Sequence, residues 1–190
     1  PKPLVTVPPT PTSSPVPTAT PRPTTTPRLT PTPPPVLSSA TSFGDGVWEV
    51  GTNILPGTYR SSKVNGGCYW ERLSGLSGEF NDIISNEFTD DISVVAIASS
   101  DVGFSTDDCG TWTLATASIT SSLNSNFSDG IFIVGLDISS GTWSSPGGTS
   151  CYWERLSGLS REFKHLEANN YGGSNQLVNI QSTDKGFATS

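Results

Sequence analysis

Ten residues, Cys68-Tyr69-Trp70-Glu71-Arg72-Leu73-Ser74-Gly75-Leu76-Ser77, recur unchanged from Cys151 to Ser160. The flanking segments recur as well. Asp45–Gly51 is matched by Asp129–Gly135 at an offset of 84 residues, and Asp101–Phe104 is matched by Asp184–Phe187 at an offset of 83. Repetition of this kind indicates two copies of one small domain in tandem.

The residues before Leu37 differ in composition from all that follows. They hold fourteen of the sixteen prolines, no glycine and no aromatic residue. All seventeen acidic residues but only seven of the ten basic residues come later, so the remainder has a formal charge near −10. Such a surface argues against nucleic acid and anionic membranes as partners, because phosphate binding requires Lys and Arg. No run of about 18 apolar residues is present to insert into a membrane.

Residues 1–38 are predicted to be an extended Pro/Thr-rich stalk or tail. Proline fixes φ and removes a backbone donor, which favours polyproline II. Threonines between prolines are typical of O-glycosylated stalks. The candidate O-glycosylation sites are Thr10, Thr12, Thr18, Thr20, Thr24, Thr25, Thr26, Thr30 and Thr32.

From Phe43 onward, short apolar runs alternate with Gly, Asp, Asn and Ser, which is the pattern of short strands and turns. The pattern predicts an all-β fold of two tandem small antiparallel β-sandwich or barrel domains, residues 43–114 and 127–190, with a Ser/Thr/Asn-rich linker at 115–126. The strands predicted in the first domain are Val47–Val50, Gly57–Ser61, Cys68–Leu73, Asp82–Ser85, Ile92–Ala98 and Thr111–Leu114.

Alternation along the repeated strand places Cys68, Trp70 and Arg72 on one face and Tyr69 and Glu71 on the other. Cys109 is the natural disulfide partner of Cys68, and we expect Trp70 to pack near that bond. Disulfides in small β-domains indicate an oxidising, extracellular setting.

The second domain lacks a counterpart of the segment from Cys109 to Leu114, so Cys151 has no partner in the sequence. One expectation is that the natural chain continues past Ser190. The alternative is that a strand of another molecule fills the gap by strand addition. The candidate donor is the β-prone segment Leu4, Val5, Thr6 and Val7.

We expect no enzymatic activity, cofactor or metal. The single histidine, His165, is matched by Asp82, so a histidine-based centre could exist in one copy at most. Glu71 and Glu154 are matched carboxylates, but we interpret Glu71 as half of a surface ion pair with Arg72. The candidate ligand or subunit contacts are aromatic residues at matched positions: Tyr69, Tyr152, Tyr59 and Trp143.

The order Asp-Gly-x-Trp-x-Val-Gly-x-x-Ile-x-Pro-Gly-Thr-Tyr-Arg, then Cys-Tyr-Trp-x-Arg, then Cys-Gly-Thr-Trp resembles an unnamed small β-domain of secreted and surface-anchored bacterial proteins. That domain often follows a Pro/Thr stalk. The resemblance implies an extracellular location and a disulfide, and it implies no activity.

These observations predict a non-enzymatic structural protein of a bacterial surface, a self-assembling filament or appendage subunit whose partners are copies of itself. The alternative is a carbohydrate-binding or adhesive module on a glycosylated stalk, with glycans as partners and Tyr69 and Tyr152 in the binding platform.

Overall fold

The computed structural model describes residues 42–62, 66–115, 126–146, 150–173 and 175–190. Every element below belongs to one compact unit, Val36–Ser190. The predicted stalk, the candidate donor Leu4–Val7, the threonines named for glycosylation and most of the linker lie outside the described residues. The part of the chain that is described contains strands and two single-turn 3₁₀ helices, Phe80–Asp82 and Phe163–His165, which confirms the all-β prediction. No helix in that part has the length and hydropathy to cross a bilayer.

The first repeat, residues 42–115, contains eight strands: β1 (Ser42–Phe43), β2 (Gly46–Glu49), β3 (Gly57–Arg60), β4 (Cys68–Leu73), β5 (Ile83–Thr89), β6 (Val94–Ile97), β7 (Gly103–Asp107) and β8 (Trp112–Leu114). They form two antiparallel sheets of four strands each, in the orders β1-β8-β3-β6 and β2-β7-β4-β5. One edge of the sandwich is therefore formed by β1 and β2, and the opposite edge by β5 and β6.

Aromatic rings fill the space between the two sheets. The ring of Phe104 stacks on Trp70 at 5.9 Å between centroids and meets Trp112 edge-on at 5.3 Å. The Cys68–Cys109 disulfide is buried in the same core, as predicted, and ties β4 to the segment that leads into β8. Three aromatic side chains from different strands thus hold the sandwich together beside one covalent bond.

The strands β1 and β7 were absent from the prediction. β7 reads Gly-Phe-Ser-Thr-Asp and has a single apolar side chain, yet it lies between β2 and β4 in the middle of its sheet. Its inward positions are Phe104 in the core and Thr106, whose hydroxyl accepts a hydrogen bond from Trp112 Nε1 at 2.8 Å. A buried polar partner of this kind leaves no hydrophobic periodicity in the sequence.

The second repeat, residues 126–190, repeats the same plan with fewer strands. Its strands are β9 (Gly130–Ile133), β10 (Gly141–Ser144), β11 (Cys151–Leu156), β12 (Leu166–Gly172), β13 (Leu177–Ile180) and β14 (Gly186–Thr189). They form a four-stranded sheet, β12-β11-β14-β9, and a two-stranded sheet, β10-β13. No described strand of this repeat corresponds to β1 or β8. Phe127 nevertheless packs on Phe132, Trp143 and Phe187, as Phe43 packs on the matched Trp48, Tyr59 and Phe104.

Removing the disulfide should destabilise the first repeat. It closes a loop with a sequence separation of 41 residues, which in the chain-entropy model contributes about 4 kcal/mol. We expect the Cys68→Ala/Cys109→Ala variant to lose about that free energy of unfolding in urea titrations. The Cys151→Ser variant is the control and should stay close to the parent protein. Equal unfolding midpoints for the oxidised and reduced parent protein would contradict the role assigned to this bond.

Candidate functional site

The two repeats meet edge to edge. Strand β9 and the loops beside it, from the second repeat, lie against the β5/β6 edge of the first. Val94 is completely buried there among Ile131, Leu156 and Leu159. The amide of Ala96 donates to the carbonyl oxygen of Leu159 at 2.8 Å. We call the contributing side of the first repeat the base surface (Arg60, Arg72, Ser85, Glu87, Val94 and Ala96) and that of the second repeat the head surface (Ile131, Asp137, Leu156, Leu159, Ser160, Arg161 and Glu162).

The guanidinium of Arg72 joins the repeats from a buried position. Its Nε and Nη2 each donate to one carboxylate oxygen of Asp101, both at 2.8 Å. Its Nη1 crosses to the second repeat and donates to the Ser160 carbonyl at 2.9 Å and to Glu162 at 3.1 Å. The Ser85 hydroxyl donates to the same Ser160 carbonyl at 2.8 Å. Arg72 thus forms a bidentate pair with Asp101 inside the first repeat and also donates hydrogen bonds to the second repeat.

A second polar connection begins in the core of the first repeat. Trp70 Nε1 donates to the Ser93 hydroxyl at 2.8 Å, and that hydroxyl donates to Glu87 at 2.6 Å. Glu87 pairs with Arg161 of the second repeat at 2.9 Å, and Arg161 also pairs with Glu154. The hydrogen bonds therefore run without a break from a core tryptophan to the neighbouring repeat.

The charges at this interface stabilise one another. Hydrogen bonds from Lys164 and from Arg72 lower the pKa of Glu162 from 4.5 to about 2, against the opposing effect of burial. Burial alone would lower the pKa of Arg72, but Asp101 and Glu162 raise it above its ordinary value. Arg60 forms a further cross-repeat pair with Asp137. The shifts in the pKa values of Glu162 and Arg72 both favour the charged forms of these two side chains.

Each side of this interface has an uncovered counterpart on the other repeat. Ile131 and Leu159 are 6% and 8% exposed in the head surface, whereas the matched Val47 and Leu76 of the first repeat are 64% and 51% exposed. Val94 of the base surface is matched by Leu177, which is 70% exposed on the second repeat. A depression of about 380 Å³ beside Val47 and Leu76 belongs to the uncovered head surface. The first repeat therefore carries an exposed counterpart of the head surface, which includes Val47 and Leu76 and which we call the open head surface. The second repeat carries an exposed counterpart of the base surface, which includes Leu177 and which we call the open base surface.

The polar groups at these open ends follow the same correspondence. Arg155 repeats the bidentate contact of Arg72, with Asp184 as its partner at 2.7 and 3.0 Å. Ser77 and Glu79 match the Ser160 and Glu162 that Arg72 contacts. The charges of the other two cross-repeat ion pairs are instead replaced by neutral residues at the open ends: Asn53 and Ser144 match Asp137 and Arg60, while Gly78 and Asn170 match Arg161 and Glu87.

A groove of about 430 Å³ lies in the second repeat at the position that β8 occupies in the first. Aromatic and aliphatic side chains form much of its lining, together with Cys151 and the polar Asp129 and Thr189. Cys151 is half-buried and unpaired, whereas the matched Cys68 is buried in its disulfide. The apolar lining residues are Phe127, Trp143, Trp153, Val178 and Phe187.

The candidate contact residues occupy different environments. Tyr59 is 1% exposed and lies in the core, because its ring packs on Phe43 and its hydroxyl donates to the Leu55 carbonyl. That position removes it from any surface contact. Trp143 lines the groove. Tyr69 and Tyr152 are half-buried on the outer face of their strands, and glycan binding by either stays a prediction.

The expected surface ion pair between Glu71 and Arg72 is wrong. Adjacent residues of a strand point to opposite faces, so Arg72 turns inward to Asp101 while Glu71 accepts a hydrogen bond from the Tyr69 hydroxyl. Burial and that bond raise the pKa of Tyr69. No group of three or more metal-ligating side chains occurs in the described ranges.

The residues of the interface were missed by sequence reasoning, although a signal was present. Arg161 and Glu87 carry opposite charges, and each is neutral at the matched position of the other copy. The same is true of Arg60 and Asp137. A comparison of the two copies that looks for complementary charges present in one copy only would have found both pairs.

These features define a tandem pair of small β-sandwich domains in which the first is closed by a disulfide. The chain belongs to the family described as Rv1352-like extracellular domain, whose model matches residues 40–113 and again residues 124–190. The protein is therefore extracellular and contains two copies of that domain. No curated protein and no solved structure matches the chain.

A double-mutant cycle tests the connection between Arg161 and Glu87. We replace each by its counterpart, as Arg161→Gly and Glu87→Asn, because the other repeat folds with those residues. Removing either partner leaves the other charge partly buried, so we expect a coupling free energy of about 1–2 kcal/mol in urea unfolding. Lys185→Ala, which removes the charge of an exposed side chain outside the head surface, should cost less than about 0.5 kcal/mol. Additive effects of the two interface changes would rule out the coupling.

Proposed function

We propose that this protein is a non-enzymatic structural component of a bacterial surface that assembles head to tail through copies of itself. One observation carries the proposal: the interface between the repeats joins two different surfaces, and both surfaces recur uncovered at the ends of the pair. A dimer formed through two unlike surfaces still has one free surface of each kind, so further copies can add to it. Repeated addition produces a filament, unless the rotation that relates neighbouring copies closes them into a ring.

The apolar residues at the ends supply a driving force for this association. Val47 and Leu76 on the open head surface and Leu177 on the open base surface have matched residues that are buried between the repeats. Complete burial of such a side chain contributes about 1.5–3 kcal/mol. Large exposed apolar side chains that form a patch are typical of interaction sites.

The polar groups at the ends are compatible with the same contact. Arg155 is held by Asp184 as Arg72 is held by Asp101. Contact with Ser77 and Glu79 of a second copy would give Arg155 the acceptors that Arg72 finds in Ser160 and Glu162. Neutral residues replace both partners of the pairs Arg60–Asp137 and Arg161–Glu87, so association leaves no half of either pair without its partner. They also make the contact between copies weaker than the contact within a copy.

The matched carboxylates support a structural rather than a catalytic role. Glu154 pairs with Arg161 beside the interface, and it also accepts a hydrogen bond from the Tyr152 hydroxyl. Glu71 accepts the corresponding bond from Tyr69. Both side chains are thus engaged in contacts that hold the repeats in shape. A Pro/Thr-rich stalk that carries O-glycans would separate such an assembly from the cell.

Variants at the two ends test assembly, as measured by sedimentation velocity and by electron microscopy of negatively stained material. We expect Leu76→Asp and Leu177→Asp to abolish association, because each introduces a charge into an apolar contact. Val102→Lys is the matched control and should associate like the parent protein, since Lys185 occupies that position in the repeat that is already docked.

A gain of affinity is a sharper test than a loss. The double variant Gly78→Arg/Asn170→Glu recreates the pair formed by Arg161 and Glu87, and it should strengthen association where either single change does not. Arginine is tolerated at this position because Arg161 has φ 58° where Gly78 has φ 79°. A parent chain and a double variant that both stay monomeric at their highest soluble concentrations would overturn the proposal.

A further inference from the structure

The groove beside Cys151 has the form of a strand-binding site. In the first repeat, β8 pairs with β3 through Tyr59–Leu114 and Arg60–Thr113, and the amide of Ala115 donates to the Thr58 carbonyl. The matched strand β10 has a neighbour only on the β13 side among the strands that the structure describes. Its other edge borders the groove, where an incoming strand can complete the sheet by backbone hydrogen bonds.

The groove repeats two of the three side-chain acceptors that hold the closing segment of the first repeat. The third, Ser62, accepts the amide of Thr111 at 2.9 Å and is replaced by Pro146. Asp45 accepts the amide of Cys109 at 2.9 Å, and the Thr106 hydroxyl accepts Trp112 Nε1 at 2.8 Å. Their counterparts, Asp129 and Thr189, both line the groove. Asp129 is thus placed to accept the backbone amide of a cysteine in a bound strand. Thr189 is placed to accept the indole N–H of a tryptophan three residues after that cysteine.

The core of the second repeat is also exposed along this groove. Trp153 and Trp143 are half-buried, whereas the matched Trp70 and Tyr59 are almost completely buried in the first repeat. The buried Nε1 of Trp153 has no hydrogen-bond partner among the described residues. An apolar side chain laid over these rings would remove them from water. In the first repeat Trp112 meets Phe104 edge-on, and Phe187, the counterpart of Phe104, lines the groove.

We propose that this groove binds one β-strand of polypeptide in which a cysteine precedes a tryptophan by three residues, and that Cys151 forms a disulfide with that cysteine. The occupant is a strand with the pattern of Cys109-Gly110-Thr111-Trp112, because that pattern supplies a thiol for Cys151, an amide for Asp129 and an indole for Thr189. Leu4–Val7 has neither the cysteine nor the aromatic ring. This inference does not depend on head-to-tail assembly.

The covalent step is a thiol–disulfide exchange. The thiolate of Cys151 attacks the cysteine sulfur of a strand whose cysteine is held as a mixed disulfide with glutathione. A new S–S bond forms between Cys151 and the strand, the bond to glutathione breaks, and glutathione leaves as the thiolate. Electrons balance, since one disulfide is exchanged for another.

The test uses the full chain carrying Leu76→Asp, so that its result is independent of assembly. The probe is a synthetic peptide with the sequence of residues 107–114 and its cysteine as the glutathione mixed disulfide. Capture is followed by glutathione release and by mass spectrometry of the product. We expect capture to be about tenfold faster than for the same peptide with Trp112→Ser, because binding precedes the exchange.

Two protein variants locate the reaction. Thr189→Val removes the hydroxyl acceptor and should slow capture of the tryptophan peptide while leaving the serine peptide unchanged. Cys151→Ser should abolish capture, which shows that the Cys68–Cys109 disulfide is not the site of exchange.

Equal capture rates for the two peptides would overturn the proposal, since Cys151 would then be an accessible thiol without a strand site. Stronger protection of Cys151 by a peptide of residues 2–10 than by the closing-strand peptide with Cys109→Ser would also overturn it, in favour of the Pro/Thr segment as the occupant.

Discussion

A buried guanidinium has to find an acceptor for each of its donor groups, and Arg72 meets this requirement only with both repeats in place. Asp101 occupies Nε and Nη2 inside the first repeat, and the second repeat supplies the Ser160 carbonyl and Glu162 to Nη1. Because an unpaired buried charge is costly, the position of Arg72 ties the fold of one domain to the docking of the other.

Arg155 occupies the matched position, where its side chain is 15% exposed against 3% for Arg72. Asp184 holds Nε and Nη2 of Arg155, as Asp101 holds those of Arg72. In the proposed assembly, Ser77 and Glu79 of another copy would take the places of Ser160 and Glu162. Tandem duplication therefore produces one satisfied interface in the interior of the chain and leaves its two halves at the ends.

Sequence reasoning could recover the repeat, the all-β class and the disulfide, because each leaves a direct mark: an identical decapeptide, short apolar runs between turn residues, and two cysteines within the first repeat. The sequence of the decapeptide could not predict which of its two copies is exposed and which is buried between the repeats. Leu76 and Leu159 belong to identical stretches, yet one is half exposed and the other is buried between repeats. Strand β7 was missed because its inward residues, Phe104 and Thr106, include only one apolar side chain. Glu71 was wrongly assigned as the partner of Arg72 because the two residues are adjacent in sequence. They lie on opposite faces of the strand, and the partner of Arg72 is Asp101.

The two proposed contacts differ in kind. Each end of the pair presents an exposed surface of a folded repeat, whereas the groove at Cys151 is lined by aromatic residues of the second repeat. A surface contact between folded domains is weak, reversible and set by a few side chains. A strand inserted into a core restores backbone pairing and aromatic packing together, and a disulfide makes it permanent. The first kind of contact suits growth of an assembly, and the second suits closure of a domain.

Cross-linking between the ends tests the head-to-tail arrangement most directly. Leu76 and Asn179 match Leu159 and Ala96, whose backbone oxygen and nitrogen lie 2.8 Å apart between the repeats. In a Cys151→Ser background, Leu76→Cys/Asn179→Cys treated with a short thiol-specific cross-linker should give a ladder of oligomers on denaturing gels. A mixture of the two single variants should give mixed dimers only. Single variants that link to themselves as readily, or a double variant that stays monomeric, would contradict the head-to-tail arrangement.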